Sequence, residues 1–71
     1  MNEFVLVTFD GDADVYVDGT KCGITNKKMI VETGEHIFDL GDGNNYAPKS
    51  ITKQIVGSTI DDPFPIVFGK V

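Results

Sequence analysis

The residues with the clearest chemical potential are three alternating aspartates, Asp10, Asp12 and Asp14. Carboxylate oxygens that converge on one point are the ligands that calcium prefers in proteins. The run departs from the EF-hand pattern, however, because Val15 stands where that loop needs glycine and Lys21 where it needs a bidentate glutamate. We therefore interpret the run as a structural turn and keep a calcium site at these aspartates as the alternative.

The single histidine and the single cysteine are the other residues that could take part in a reaction. His36 follows Glu35, but neighbouring side chains on a strand point to opposite faces, so the two cannot act as a pair. His36 instead alternates with Phe38 and Leu40, which predicts a packed structural histidine. Cys22 is interpreted as a small strand residue, with a reactive exposed thiol as the alternative. One histidine and one cysteine cannot complete a zinc site, and we expect neither an enzyme nor a cofactor.

The two tyrosines, Tyr16 and Tyr46, are amphipathic residues that could anchor a sugar or a peptide. A platform for sugar usually needs several flat aromatic side chains together, and the sequence has no tryptophan. Packing at the edge of the core is the favoured interpretation of both residues. They are kept as candidate interaction residues.

Composition limits the classes of partner. Eleven acidic residues oppose six lysines, the sequence has no arginine, and the formal net charge is −5. Such a surface repels phosphate backbones and anionic lipid. It also lacks the planar guanidinium group of arginine, which can bind a phosphate through two hydrogen bonds at once. We therefore expect no binding of nucleic acid and no insertion into a membrane.

The sequence contains 71 residues and one cysteine, so it predicts a single domain over residues 1–71 without an internal disulfide. The N-terminal residues lack the charged and apolar regions of a signal peptide, and no run is long enough to span a bilayer. The default expectation is a cytoplasmic protein, or a cell-surface protein if the chain belongs to a longer one.

The elements that must position these residues are short strands. Apolar and β-branched runs alternate with turn signals about every eight to twelve residues, a pattern typical of sandwiches and barrels. The sequence therefore predicts an all-β fold, a single small antiparallel β-sandwich of six or seven short strands. The predicted strands are residues 4–9, 13–17, 20–24, 29–31, 35–40, 50–56 and 64–68.

Two turn and edge signals organise this arrangement. Asp18-Gly19 supplies the two central residues of a type I′ hairpin, both of which need positive φ. Pro63 and Pro65 lack backbone donors, so they place the last strand at the edge of a sheet.

The position of the first strand stays open. Its continuous apolar run permits a central strand that is paired on both sides. It equally permits an exposed edge, which would be the least protected one and a surface for self-association or strand addition. Phe4 and Leu6 are the candidate interaction residues in that second case.

The hairpin sequence A-D-V-Y-V-D-G-T-K-C-G-I-T resembles the PEGA domain, a small β-sandwich module, and the likeness extends over about residues 8–67. Asn26 and Thr33 stand where the family pattern has proline, and most of the motif that names the family is replaced. The resemblance implies an accessory module of prokaryotic proteins with adhesive or scaffolding roles and no catalytic residues. The matching residues are Ala13, Val15, Tyr16, Val17, Asp18, Gly19, Gly23, Thr25, Gly34, Glu35, His36, Leu40 and Tyr46.

These observations together predict a non-catalytic module for protein interaction or scaffolding, whose partner is another protein or a second copy of itself. The alternative function is a ligand-binding module for carbohydrate or calcium, centred on the acidic residues between Asp10 and Asp18.

Overall fold

The computed structural model describes residues 2–43 and 45–71, and within these ranges it contains nine β-strands and no helix, so none that could cross a membrane. The predicted all-β fold is confirmed. The strands are β1 (Asn2–Thr8), β2 (Asp14–Val17), β3 (Thr20–Ile24), β4 (Lys28–Glu32), β5 (Gly34–Asp39), β6 (Tyr46–Ala47), β7 (Ile51–Ile55), β8 (Phe64–Val67) and β9 (Gly69–Lys70). Seven of them match the predicted strands, and the two-residue strands β6 and β9 have no sequence signal.

The strands form two main sheets. One sheet has the order β4-β1-β8 and the other has the order β3-β2-β5-β7, while β6 pairs with β9 in a third, two-stranded sheet. All pairs are antiparallel except β1 and β8, which run parallel and so depart from the wholly antiparallel arrangement expected. Parallel neighbours need a long crossover connection, and here nearly the whole chain separates β1 from β8.

The core lies between the two main sheets and follows from the period-2 alternation of their strands. In β1, Val5 and Val7 are fully buried, whereas Phe4 and Leu6 are half-buried on the outer face. Each large apolar side chain that is fully buried contributes about 1.5–3 kcal/mol. The core consists of Val5, Val7, Ala13, Val15, Val17, Met29, Val31, Phe38, Leu40, Tyr46, Ile55, Ile66 and Phe68.

The hairpin between β2 and β3 forms at the predicted turn. Asp18 has φ 53° and Gly19 has φ 84°, so both central residues are in the left-handed region that a type I′ turn requires. The register shifts by one residue between Val15 and Tyr16, which leaves Cys22 as the extra residue of a β-bulge in β3.

The structure decides the position of the first strand. β1 pairs with β4 on one side and with β8 on the other, so it is central and offers no free edge. The alternative of a docking edge on this strand is therefore wrong, and Phe4 and Leu6 lie on the outer face of a central strand. The expected edge position of the proline-containing strand is confirmed, because β8 ends its sheet.

Candidate functional site

A groove opens between β3 and β4, the edge strands on one side of the two main sheets. It encloses about 400 Å³, within the range of about 300–1,000 Å³ common for small binding sites. Thr20 and Cys22 line it from β3, while Ile30 and Val31 line it from β4. The site therefore has mainly apolar walls, and it lies where two sheet edges face each other.

One end of the groove is closed by a hydrogen-bonded group that we call the His36 latch: Asp18, Glu32 and His36. The Asp18 Oδ2 atom lies 2.7 Å from His36 Nδ1, and the Glu32 carbonyl oxygen lies 2.6 Å from Nε2. A carboxylate and a carbonyl only accept hydrogen bonds, so both bonds form only when both ring nitrogens donate, which requires the imidazolium form of His36.

Charge and hydrogen bonding in the latch shift two pKa values. The Asp18 carboxylate, followed by the Glu32 carbonyl, raises the pKa of His36 above its ordinary value. In return, the His36 ring and the Ile37 backbone N–H lower the pKa of Asp18. With both nitrogens protonated and engaged, His36 has no lone pair for a metal ion or for proton abstraction.

His36 occupies the predicted face of β5. It shares that face with Phe38, whose ring it meets edge-on at 6.3 Å between centroids, while Glu35 is exposed on the other face. Sequence reasoning missed Asp18 as its partner. Asp18 and His36 meet because β2 lies beside β5, with Val17 opposite Phe38. No local sequence pattern predicts that pairing of strands.

Cys22 is exposed at the bulge of β3 and lines the groove near the latch. The engaged nitrogens of His36 leave that ring unable to activate the thiol as a base. The groove therefore has the lining of a binding surface, and these residues supply no nucleophile paired with a base.

The acidic turn does not bring its three aspartates together as a group that could hold a metal ion. Asp10, Asp12 and Asp14 are exposed, and Asp14 forms an ion pair with Lys21 at 3.3 Å. Within residues 2–43 and 45–71, no three histidine, cysteine, aspartate or glutamate side chains are grouped so that they could hold a metal ion.

Thr25 and Asn26 organise this turn instead, and sequence reasoning gave neither residue that role. The fully buried Thr25 hydroxyl accepts from the Ala13 N–H at 3.0 Å and donates to the Gly11 carbonyl at 2.8 Å. Asn26 Oδ1 accepts from the Phe9 N–H, and its Nδ2 donates to the carbonyls of Phe9 and Gly11. Asparagine is also suited to its φ of 66° here.

Tyr46 belongs to the core rather than to the surface. It is 7% exposed, and its ring packs edge-on against Phe68 at 5.4 Å and against Phe9 at 6.5 Å. Its selection as a candidate interaction residue is therefore wrong, because little of the ring can reach a partner. Tyr16 is half-buried, and its ring lies close to Gly41.

Glu3 is a second residue that sequence reasoning missed. It is 5% exposed, and its carboxylate accepts from the Ser58 N–H and hydroxyl and from the Thr33 hydroxyl. These hydrogen bonds, led by the Ser58 hydroxyl and then Thr33, lower the pKa of Glu3. The buried charge thus joins β1 to the segment before β8 and to the turn after β4.

Comparisons of the chain with protein-family models, with curated proteins and with solved structures find no match.

Proposed function

We propose that this protein is a non-catalytic interaction module that binds an extended segment of another protein along the outer edge of β4. Strand addition uses backbone N–H and C=O groups at a sheet edge for affinity and nearby side-chain pockets for specificity. The observation that supports it is the outer edge of β4 beside the groove, where the backbone groups of Ile30 point away from β1.

The direction of the backbone groups of β4 follows from those of β1. Phe4 N donates to Ser58 Oγ, away from β4, whereas the Val7 carbonyl accepts from Asn26 N on the β4 side. Alternate residues of an antiparallel strand direct these groups to opposite sides. Ile30 lies opposite Phe4, so its N–H and C=O point outward, away from β1.

The other edges of the main sheets carry features that hinder strand addition. Pro65 of β8 lacks a backbone N–H donor. Phe68 N bonds inward to the Thr8 carbonyl, and successive residues direct their backbone groups to opposite sides, so the backbone position of Pro65 lies on the outward side of β8. Lys53 of β7 alternates with the buried Ile55, so a charged residue interrupts the apolar face of that edge strand. β3 is bulged at Cys22. In contrast, β4 has neither proline nor bulge.

The expected likeness to the PEGA domain remains part of this proposal. Two matching residues, Gly23 and Thr25, have structural roles. A Cβ at Gly23 would lie 3.3 Å from Met29 Cβ and Sδ, and Thr25 bonds the acidic turn. Such roles agree with a scaffold that presents an edge. Carbohydrate or calcium binding has less support, because Tyr46 is buried and Asp14 is paired with Lys21.

The test is a selection of extended peptides from a random library, followed by NMR of the isotope-labelled protein with each selected peptide. Binding at the edge should shift and protect the Ile30 amide, while the Met29 and Val31 amides, which face β1, are already protected. Ile30→Pro should abolish binding without removing a bond to β1.

Val67→Pro is the matched control. Val67 is exposed and lies at an outward-facing position of β8, the opposite edge of the same sheet. This variant should bind the peptides as the original chain does. Selected peptides whose affinity is insensitive to Ile30→Pro, or an Ile30 amide that is protected in the free monomer, would contradict the proposed function.

A further inference from the structure

We infer that the strand added to this edge is β4 of a second copy of the chain, antiparallel to the first and related to it by a two-fold axis at Ile30. This inference rests on the proposed function, because it requires the same outer edge. It goes further by assigning the partner. The result is one continuous six-stranded sheet in the order β8-β1-β4-β4-β1-β8.

The sequence of β4 is self-complementary in this register. With Ile30 facing Ile30 of the second copy, Lys28 lies opposite Glu32 of that copy, and Glu32 lies opposite its Lys28. The three side chains share the outer face of the strand, where all three are exposed. Opposite charges directly across an antiparallel pair attract, so both ends of the contact are favourable.

The backbone geometry suits the same register. Because the N–H and C=O of Ile30 point outward, the two copies of Ile30 can exchange two hydrogen bonds as a closely spaced pair. The carbonyl of Glu32 already accepts from His36 at 2.6 Å, and a carbonyl oxygen has two lone pairs. The contact at Ile30 therefore forms without breaking the His36 latch.

Apolar surface on the outer face adds to the contact. Ile30 is 58% exposed and lies beside its cross-strand neighbour Phe4, which is half-buried. Pairing two copies of β4 brings the two Ile30 side chains together and extends this apolar strip into the second copy. Each copy carries a net charge of −5, so their general repulsion is weakest at physiological or higher salt.

The experiment uses charge reversal in the full chain. Lys28→Glu places glutamate opposite glutamate at both ends of the contact, and Glu32→Lys places lysine opposite lysine. Each single variant should associate at least about tenfold more weakly than the original chain, as measured by sedimentation equilibrium at about 0.15 M salt. The double variant, with both reversals in one chain, should regain self-association.

A mixture of the two single variants is the most specific test of the charge pairing. A copy with two glutamates at these positions is complementary to a copy with two lysines, so the mixture should form heterodimers. Native mass spectrometry separates these from the homodimers by mass when one of the two variants is labelled with ¹⁵N. Lys53→Glu on β7 is the control for a general change in charge. It should leave the original association within about twofold.

Two results would overturn the inference while leaving the proposed function intact. One is a chain that stays monomeric at millimolar concentration with a rapidly exchanging Ile30 amide. The other is single variants that dimerise as strongly as the original chain. An Ile30 amide that is protected in a dilute monomer has a different meaning, because it would refute the open edge and the proposed function together.

Discussion

His36 joins three parts of the chain through one side chain. Its ring reaches Asp18 in the β2–β3 turn and the Glu32 carbonyl at the end of β4, and it lies edge-on to Phe38 in the core. Both polar partners are acceptors, so the two bonds form only when the ring holds two protons and a positive charge. The latch therefore depends on protonation, and its stabilising effect must change with pH.

We expect the contribution of the His36 latch to the free energy of unfolding to fall as the pH rises. The Asp18 carboxylate and then the Glu32 carbonyl raise the pKa of His36 above its ordinary value of 6.5. A raised pKa in the folded state gives stability that is fully present below the ordinary value and is lost as the pH passes through the raised value. Urea unfolding of the original chain and of His36→Gln between about pH 5 and pH 9 measures this difference.

Asp18→Asn is the control for this measurement. Asparagine tolerates the positive φ of the turn and can still accept from the Ile37 N–H, so only the charge is lost. The hydrogen bond from His36 is the chief cause that lowers the pKa of Asp18 below its ordinary 3.8 in the folded state. The stability that Asp18 contributes is therefore fully present above 3.8 and is lost as the pH falls through the lowered value. Unfolding free energies of the original chain and His36→Gln that stay parallel across the pH range would contradict the latch.

Gly41 shows a second effect at the residue scale, a close approach that leaves no room for a Cβ. A Cβ built there would lie 2.6 Å from Tyr16 Cε1, and φ is +73°. We expect Gly41→Ala to destabilise the fold by about 2–4 kcal/mol, the sum of backbone strain and displacement of the tyrosine ring.

Gly57→Ala is the matched variant, because Gly57 has φ +78° and no atom within 4 Å of the position of a Cβ. It should lose stability through backbone strain alone, by about 1–2 kcal/mol. Equal losses of stability in the two variants, measured by urea unfolding, would show that the Tyr16 ring moves aside without cost.

At the scale of elements, the acidic turn between β1 and β2 is held by the residues that follow β3. Thr25 N donates to the Ala13 carbonyl, and the Thr25 hydroxyl bonds the Ala13 N–H and the Gly11 carbonyl. Asn26 N continues the contact to the Val7 carbonyl at the end of β1. The turn is therefore shaped by its packing against the end of the hairpin, and the aspartates remain on its exposed side.

Thr25→Val should destabilise the protein by about 1–3 kcal/mol. Valine has the shape of threonine, but it leaves the Ala13 N–H without its buried acceptor, and the Gly11 carbonyl keeps only its bond from Asn26 Nδ2. Thr25→Ser keeps the hydroxyl and should lose only about 1 kcal/mol, the value of one methyl group. Thermal unfolding of the three proteins measures the effect, and a valine variant as stable as the serine variant would contradict it.

At the scale of the whole molecule, β1 is the strand on which the rest of the fold depends. It pairs with β4 and with β8, and its Glu3 bonds Ser58 and Thr33. The outward-facing backbone groups lie elsewhere, at the outer edges of the sheets. The proposed interaction with another chain therefore uses one of those edges and not the most apolar strand of the sequence.

Hydrogen exchange should distinguish these two strands in the monomer. We expect uniform protection of the amides from Phe4 to Thr8, because β1 has partners on both sides and Phe4 N bonds Ser58. Along β4, protection should alternate, with slow exchange at Met29 and Val31 and fast exchange at Ile30. Alternating protection along β1 would mean that one of its two pairings is absent in solution.

Local sequence patterns predicted the all-β class, the turn at Asp18-Gly19 and seven strands within two residues of their bounds. These features are local, because the period-2 alternation and the positive φ of a type I′ turn depend on neighbouring residues alone. Pro65 likewise identified an edge strand from its missing donor.

The central position of β1 could not be predicted in this way, because a continuous apolar run is the same for a central strand and for a covered edge. The tertiary structure also paired Asp18 with His36, Thr25 with the acidic turn and Glu3 with Ser58, contacts that join residues 12 to 55 positions apart. Such contacts are set by strand order and register, which emerge when the two sheets pack to bury their apolar faces. The groove beside β4 is a product of that packing. It lies between β3 and β4, which belong to different sheets and come close only because the two sheets face each other.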